Sequence, residues 1–348
     1  NVIVDENGNL EKGVRTQLKV DGSVIKDRLT RLMDDLIIIG NVTDGHEYYK
    51  TKGGSLIRVG RTDDGRIAFM GGWQMEHNNK LLPSNPDDIF TKQNGSSYGL
   101  EDQMPLGAQN SVYSTLKAHE EFSEFCDLLS GSEYSTGTMK LAGSTYNAAM
   151  SNQGNRNITL MDNYNYTVYV PTNESIRELI DNDLLPTWND YNSIKTEEWG
   201  TKTLRDSAQQ IVKDIINNFL RYHIQDHSLA VNMAPESYDS DANGIRTPQY
   251  ANSYESMRRN TTTGRFYPLE VDFSNSQITI TDVLSQQHHV MKDNGLYNLI
   301  CREYWFSGSG TTATIYSASD AVVHQIDGPL MSGRLTSWKE QLKALGRN

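Results

Sequence analysis

Tyr166-Thr167-Val168-Tyr169-Val170-Pro171-Thr172-Asn173-Glu174-Ser175-Ile176 sets alternating β-formers, a proline stop and a helix cap in one short run. Tyr166, Val168 and Val170 share one parity, and Thr167 and Tyr169 the other, as in a β-strand with one face in a core. Pro171 has no N–H and ends the pairing. Thr172 or Asn173 then caps a helix whose first turn holds Glu174 and which runs on through Ile180.

Two further blocks follow in order. Asn218-Phe219-Leu220-Arg221-Tyr222-His223-Ile224 ends a helical pattern, and Asp320-Ala321-Val322-Val323-His324-Gln325-Ile326-Asp327-Gly328-Pro329-Leu330 reads as a closing strand. Together the three blocks resemble those of fasciclin domains, which are extracellular adhesion and binding modules, over residues 111–334. The resemblance implies an α+β fold in which each unit is a twisted β-sandwich or partial-barrel wedge with short flanking helices.

An earlier part of the chain repeats some of this pattern. Leu29-Thr30-Arg31-Leu32-Met33-Asp34-Asp35-Leu36-Ile37-Ile38 reads as a helix running into an apolar strand and takes the place that Ile211–His223 holds later. Tyr49–Val59 looks like a hairpin, and Asp63-Asp64-Gly65 turns the chain into Arg66–Met70. Tyr98–Leu106 parallels Val323–Leu330, and Ser111–Leu116 opens a new helix. The expected organisation is a first fasciclin-like unit over 1–110, a second with long polar insertions over 111–334, and a helical tail over 335–348. The first unit has no strand-proline-helix block, and the expectation is that this block lies upstream of Asn1.

The 348 residues carry a net charge of −12, and mean hydropathy is −0.60. That balance argues against nucleic-acid backbones or anionic lipid as partners, because both require clustered Lys and Arg. No apolar run approaches the roughly 18 residues of a membrane-spanning helix. Cys126 and Cys301 are the two cysteines, too few for a disulfide framework. They are read as buried thiols, with a single bridge as the alternative.

Several residues are candidates for chemistry. Gly95-Ser96-Ser97-Tyr98-Gly99 fits the nucleophile pattern of serine hydrolases, but that motif needs a strand before it and a helix after it. Here a turn precedes Ser97 and a strand follows, so a loop is the competing reading. Asp239, Asp241 and Asn243, followed by Gly244, have the oxygen-ligand spacing that starts a calcium loop. The twelfth position is Tyr250 where a bidentate Glu is expected, and an Asx-rich turn is the alternative. His288 and His289 are adjacent, so their side chains are expected to point apart and not to share a metal. Tyr304-Trp305-Phe306 is an aromatic cluster suited either to stacking on a sugar ring or to a core.

Tyr222 and His223 carry the sharpest implication of the resemblance. In animal fasciclin proteins this block is linked to integrin binding, while elementary chemistry offers one of the two, an inward Tyr or His, satisfied by a buried hydrogen bond. The family's second adhesion motif ends in Asp-Ile before the closing strand. The corresponding Ala313-Thr314-Ile315-Tyr316-Ser317 has no acid.

The resemblance therefore implies a non-catalytic cell-surface protein that binds a protein or matrix partner and carries no cofactor, apart from calcium if the Asp239 loop holds it. The alternatives are a glycan-binding component of a polysaccharide-uptake system and, last, a hydrolase using Ser97. The enlarged Asn- and Tyr-rich loops resemble those of surface fasciclin lipoproteins of Bacteroides-like bacteria, which implies an outer-membrane location through an upstream lipid anchor.

Overall fold

The computed structural model describes residues 2–4, 10–12, 22–101, 103–130, 138–141, 144–147, 165–235, 237–240, 246–307 and 314–346. The first part of the chain contains β1 (Val2–Val4), β2 (Leu10–Lys12), α1 (Gly22–Asp35), β3 (Tyr48–Lys50), β4 (Leu56–Arg61), β5 (Ile67–Met70), α2 (Gly72–His77), β6 (Leu82–Lys92) and β7 (Gly95–Leu100). Helices α3 (Val112–Ala118) and α4 (Ser123–Ser130) lead to β8 (Thr138–Leu141), β9 (Ser144–Asn147) and β10 (Tyr166–Pro171). Four helices follow, α5 (Asn173–Asp181), α6 (Trp188–Ser193), α7 (Thr196–Trp199) and α8 (Lys202–Tyr222). The remainder is β11 (Ile224–Asp226), β12 (Ser237–Ser240), β13 (Arg246–Gln249), β14 (Ser253–Arg259), β15 (Phe266–Asp272), β16 (Thr279–Thr281), β17 (Gln287–His289), β18 (Leu299–Ser307), β19 (Thr314–Ile326) and α9 (Trp338–Leu345). The fold is α+β.

The larger sheet has eight strands in the order β17-β16-β15-β14-β11-β10-β19-β18. Strand β10 lies inside it, parallel to β19 from Tyr166↔Ala321 to Pro171↔Ile326 and antiparallel to β11. A bridge between Val290 and Ile326 brings the far edge of the sheet back to β19, so the sheet curls on itself. Burial differs from the one-faced strand that the alternation predicts: every residue of β10 is buried. Tyr166, Val168 and Val170 join a cluster with Ile176, Ile216 and Val323, and Tyr169 joins a second one with Tyr222, Leu269 and Val322. The reason is polar compensation on the second face. Thr167 Oγ1 donates to the His227 carbonyl (2.8 Å) and accepts from the Leu229 N–H (2.9 Å), so a hydroxyl residue is satisfied without water. Thr172 is the cap of α5, accepting from the Ser175 N–H.

The smaller sheet is the antiparallel run β3-β4-β5-β6-β7. The expected hairpins over 49–70 are present, with Arg58↔Met70 to Arg61↔Ile67 in register. The expected strand after α1 reduces to one bridge, Ile38↔Thr51. Cys126 and Cys301 are both buried thiols, and neither is in a disulfide. Burial pushes the Cys126 thiol up to about 11, and Cys301 Sγ sits 3.1 Å from Thr115 Oγ1.

The two halves of the chain meet at a buried ionic junction. The Arg302 guanidinium on β18 donates from Nη2 to Asp35 at the end of α1 (2.7 Å) and from Nε to Asp320 on β19 (2.8 Å). Asp35 also accepts from Ser55 (3.0 Å). Asn165 spans the same joint, donating to the Gly54 carbonyl (3.1 Å) and accepting from the Asp320 N–H (3.0 Å). Gly54 has φ +97°, and a Cβ there would press within 2.5 Å of the Asn165 amide. Burial raises Asp320 above the usual carboxylate range, against the opposing pull of Arg302.

Arg302→Met leaves two carboxylates buried without their cation and should cost about 3–5 kcal/mol in denaturant unfolding. Adding Asp35→Asn and Asp320→Asn to that variant should recover a large part of the loss. A midpoint unchanged by Arg302→Met would show that the junction carries no such weight.

Candidate functional site

The three sequence blocks converge on the end of α8. Its last residue is Tyr222, and His223 is the residue that stops it, with its N–H turned back on Leu220 and Arg221. The His223 carbonyl accepts from the Tyr169 N–H of the first block (2.8 Å). Its Nε2 accepts from the Leu330 N–H that follows the closing strand (2.9 Å). Because that N–H is a fixed donor, Nε2 holds a lone pair and Nδ1 carries the proton, which it gives to the Phe219 carbonyl (2.8 Å). Phe125 and Phe219 flank the ring.

His324 is its counterpart with the opposite tautomer. Nδ1 accepts from the Asn298 N–H (3.2 Å), and Nε2–H donates to the Leu229 carbonyl (2.9 Å). The ring stacks on Tyr169, whose hydroxyl donates to Gln225 (3.0 Å). Neither imidazole is exposed at all. Burial disfavours the charged forms and pulls His223 down to about 3 and His324 down to about 4. Both are neutral structural pins at neutral pH.

Tyr222 is equally buried, but its hydroxyl faces a surface turn. It accepts from the Val283 N–H (3.1 Å) and donates to the Pro268 carbonyl (3.2 Å). Burial pushes this phenol up to about 12. The turn it supports, residues 282–286, joins β16 to β17. The Asp282 carboxylate lies inside it, accepting from the N–H groups of Leu284 (2.9 Å), Gln286 (3.0 Å) and Met331 (2.9 Å). Ser285 takes the left-handed conformation that lets the turn close, φ +61°. The result is a rigid turn that presents Val283 (41% exposed) and Leu284 (43% exposed) to solvent.

Beside it, His288 and His289 do not simply diverge. His288 lies 3.6 Å and His289 3.0 Å from the Asp327 carboxylate, because Asp327 also accepts from the His289 N–H (2.9 Å). No group of three or more His, Cys, Asp or Glu side chains suited to a metal occurs among the described residues.

The other candidates lie elsewhere. Tyr304, Trp305 and Phe306 occupy β18, paired with Ala318, Ser317 and Ile315. Asp239 pairs with Thr247 in the β12–β13 hairpin, and Asp241 and Asn243 lie outside the described residues. Ser97 is exposed on β7 opposite Phe90. The groove beside it has no histidine among its lining residues, so the residues lining it offer no imidazole base to activate the hydroxyl. Asp282 and Asn298 were not singled out from the sequence. Asp282 opens Asp-Val-Leu-Ser, an Asx-turn signal that was available to read. Asn298 has no local signal.

No protein-family model matches the chain, and no curated protein matches it by sequence. Among solved structures it is similar to the FAS1 domain pair of the insect cell adhesion molecule fasciclin I. The identity is 13%, over 88% of this chain and 75% of that chain, with a TM-score of 0.29. No helix among the described residues is long and apolar enough to cross a membrane.

The two histidines make stability depend on pH with a defined sign. Their folded values lie below the ordinary 6.5, so below pH 6.5 the unfolded chain binds protons that the folded chain refuses. Stability therefore falls as pH drops from 6.5 towards about 4, by up to about 1.4 kcal/mol per pH unit for each histidine. Urea unfolding across pH 7.5–4.5 should show this slope, and His223→Asn and His324→Gln should each flatten it while lowering stability at pH 7.5. A slope unchanged in both variants would remove the histidines as its source.

Proposed function

We propose that the chain is a non-catalytic binding protein of fasciclin type, working outside the cell in adhesion to a protein or matrix partner. On this reading it consists of two fasciclin-like units, with Tyr222 and His223 positioning a contact surface from beneath. The observation that carries the proposal is the turn 282–286. Its backbone is pinned by the Tyr222 hydroxyl and the Asp282 carboxylate while Val283 and Leu284 face outward. A turn whose backbone donors are all held within the protein is preorganised, so a partner covering its two aliphatic side chains loses little conformational entropy on binding. What supports the family reading is that blocks far apart in sequence meet as one unit. The strand-proline-helix segment pairs with the closing strand, and the Tyr-His block bonds to both.

The same arrangement explains how buried residues can matter for adhesion. Neither Tyr222 nor His223 reaches the surface, and each acts through what it holds. Tyr222 fixes the Val283 N–H, and His223 fixes Leu330 next to Met331, whose N–H bonds to Asp282.

Surface plasmon resonance against fibronectin, laminin and collagen should detect saturable binding to at least one of them. Val283→Asp with Leu284→Asp should weaken it tenfold or more, since each covered aliphatic side chain contributes about 1.5–3 kcal/mol. Tyr222→Phe should weaken it less, by loosening the turn. Both variants alter exposed or single-atom positions, so melting temperature checks that the fold is kept. Silent wild-type protein, or binding untouched by the double variant, would overturn the proposal.

A further inference from the structure

The two sheets can be compared within the same molecule. In the larger one, β11 bridges β14 at Gln225↔Ser256, and in the smaller one Ile38 bridges Thr51, the residue after β3. Superimposing these bridges makes α1 and α8 end together, at Asp35 and Tyr222. It also places Leu29 at the position of Ile216, and Met33 at that of Leu220. The β6–β7 hairpin then corresponds to β18–β19.

One position differs between them. In the larger sheet β10 lies between β11 and β19, paired with both. In the smaller sheet β7 pairs only with β6 among the described residues. A groove of about 1060 Å³ runs between β7 and the segment after α1, lined by Ile37, Val42, Ile57, Phe69 and Tyr98. The two-residue turn after Lys92 pairs Lys92 with Gly95, so alternation turns the N–H and C=O of Ser96 and Tyr98 to the open edge. An edge of this kind is a template for another strand.

The helix beside it tells the same story. Ile216 and Leu220 are fully covered, in one cluster with Ile176 and Leu179 of α5. Their counterparts Leu29 and Met33 are 55% and 57% exposed. Both differences trace to one structural piece, the strand β10 that continues into helix α5.

We propose that the smaller sheet takes up a polypeptide segment of that type, supplied by a partner polypeptide. Its strand lies parallel to β7 in the groove, and its amphipathic helix covers Leu29 and Met33. A small molecule would satisfy neither the backbone edge nor the helical stripe. A second copy of this chain is a poor donor, because its own β10 is buried on both faces. The inference goes beyond the adhesive reading and does not rest on it.

The probe is a synthetic peptide of Asn165–Asp181, added to the full chain. It should bind one to one and slow amide exchange of Ser96 and Tyr98 tenfold or more. Leu29→Asp with Met33→Asp, at exposed positions, should weaken binding at least tenfold, and a peptide carrying Val168→Asp and Val170→Asp should not bind. Three results would overturn the proposal. They are absence of any peptide effect, prior protection of Ser96 and Tyr98 in the free monomer, and protection that appears only with concentration-dependent self-association.

Discussion

One guanidinium, Arg302, lies between carboxylates from opposite halves of the chain, and the relation of the two sheets depends on it. Asp35 ends helix α1, which precedes the smaller sheet, and Asp320 belongs to the longest strand of the larger one. Such a buried cluster is a weak source of net stability, because desolvation consumes most of the Coulombic gain. Its effect is on specificity. Any docking of the halves that moved Asp35 away would leave Asp320 facing a cation with a donor unmet, and any that moved Arg302 would bury two like charges together. The fork geometry of arginine allows one side chain to serve both carboxylates, which a lysine ammonium on a flexible stem does less well.

Next to this junction the same economy recurs with neutral groups. Asn165 and Asn298 each use both ends of an amide to join distant segments, Asn165 to Gly54 and Asp320, Asn298 to both backbone groups of Val231. His223 and His324 do so with both ring nitrogens. A buried side chain with a donor and an acceptor at fixed separation accepts few alternative arrangements, since each misplacement strands two polar groups. The polar residues in this core therefore act as registration pins for strands that the hydrophobic clusters alone would hold less uniquely.

Both proposed contact sites lie at the rims of this scaffold. The turn over 282–286 presents apolar side chains on a backbone held from within, and the open edge of β7 presents backbone groups. The two proposals differ in the kind of partner surface they call for. The turn offers side chains to a surface, while the edge offers backbone groups to a strand.

The local pieces were legible in the chain's own short-range signals. Alternation, proline and cap in Tyr166–Ile176 were enough for β10 and α5, because each signal acts within a few residues. Asp63-Asp64-Gly65 likewise set its hairpin, and the Tyr-His and closing blocks were recognised as parts of one unit. What the sequence could not determine was which faces those pieces show. The alternation in β10 predicts one buried face, and it has two, because Thr167 finds its partners in His227 and Leu229, about sixty residues away. Tyr222 and His223 carry both a contact-site reading and the favoured reading of an inward, hydrogen-bonded side chain, and only their long-range bonds to Val283 and Leu330 decide between surface and interior. The Asp35–Arg302–Asp320 junction had no local trace at all. Charge pairing across 267 positions of chain, as between Asp35 and Arg302, is a property of how strands stack in space, and neighbouring residues carry no record of it.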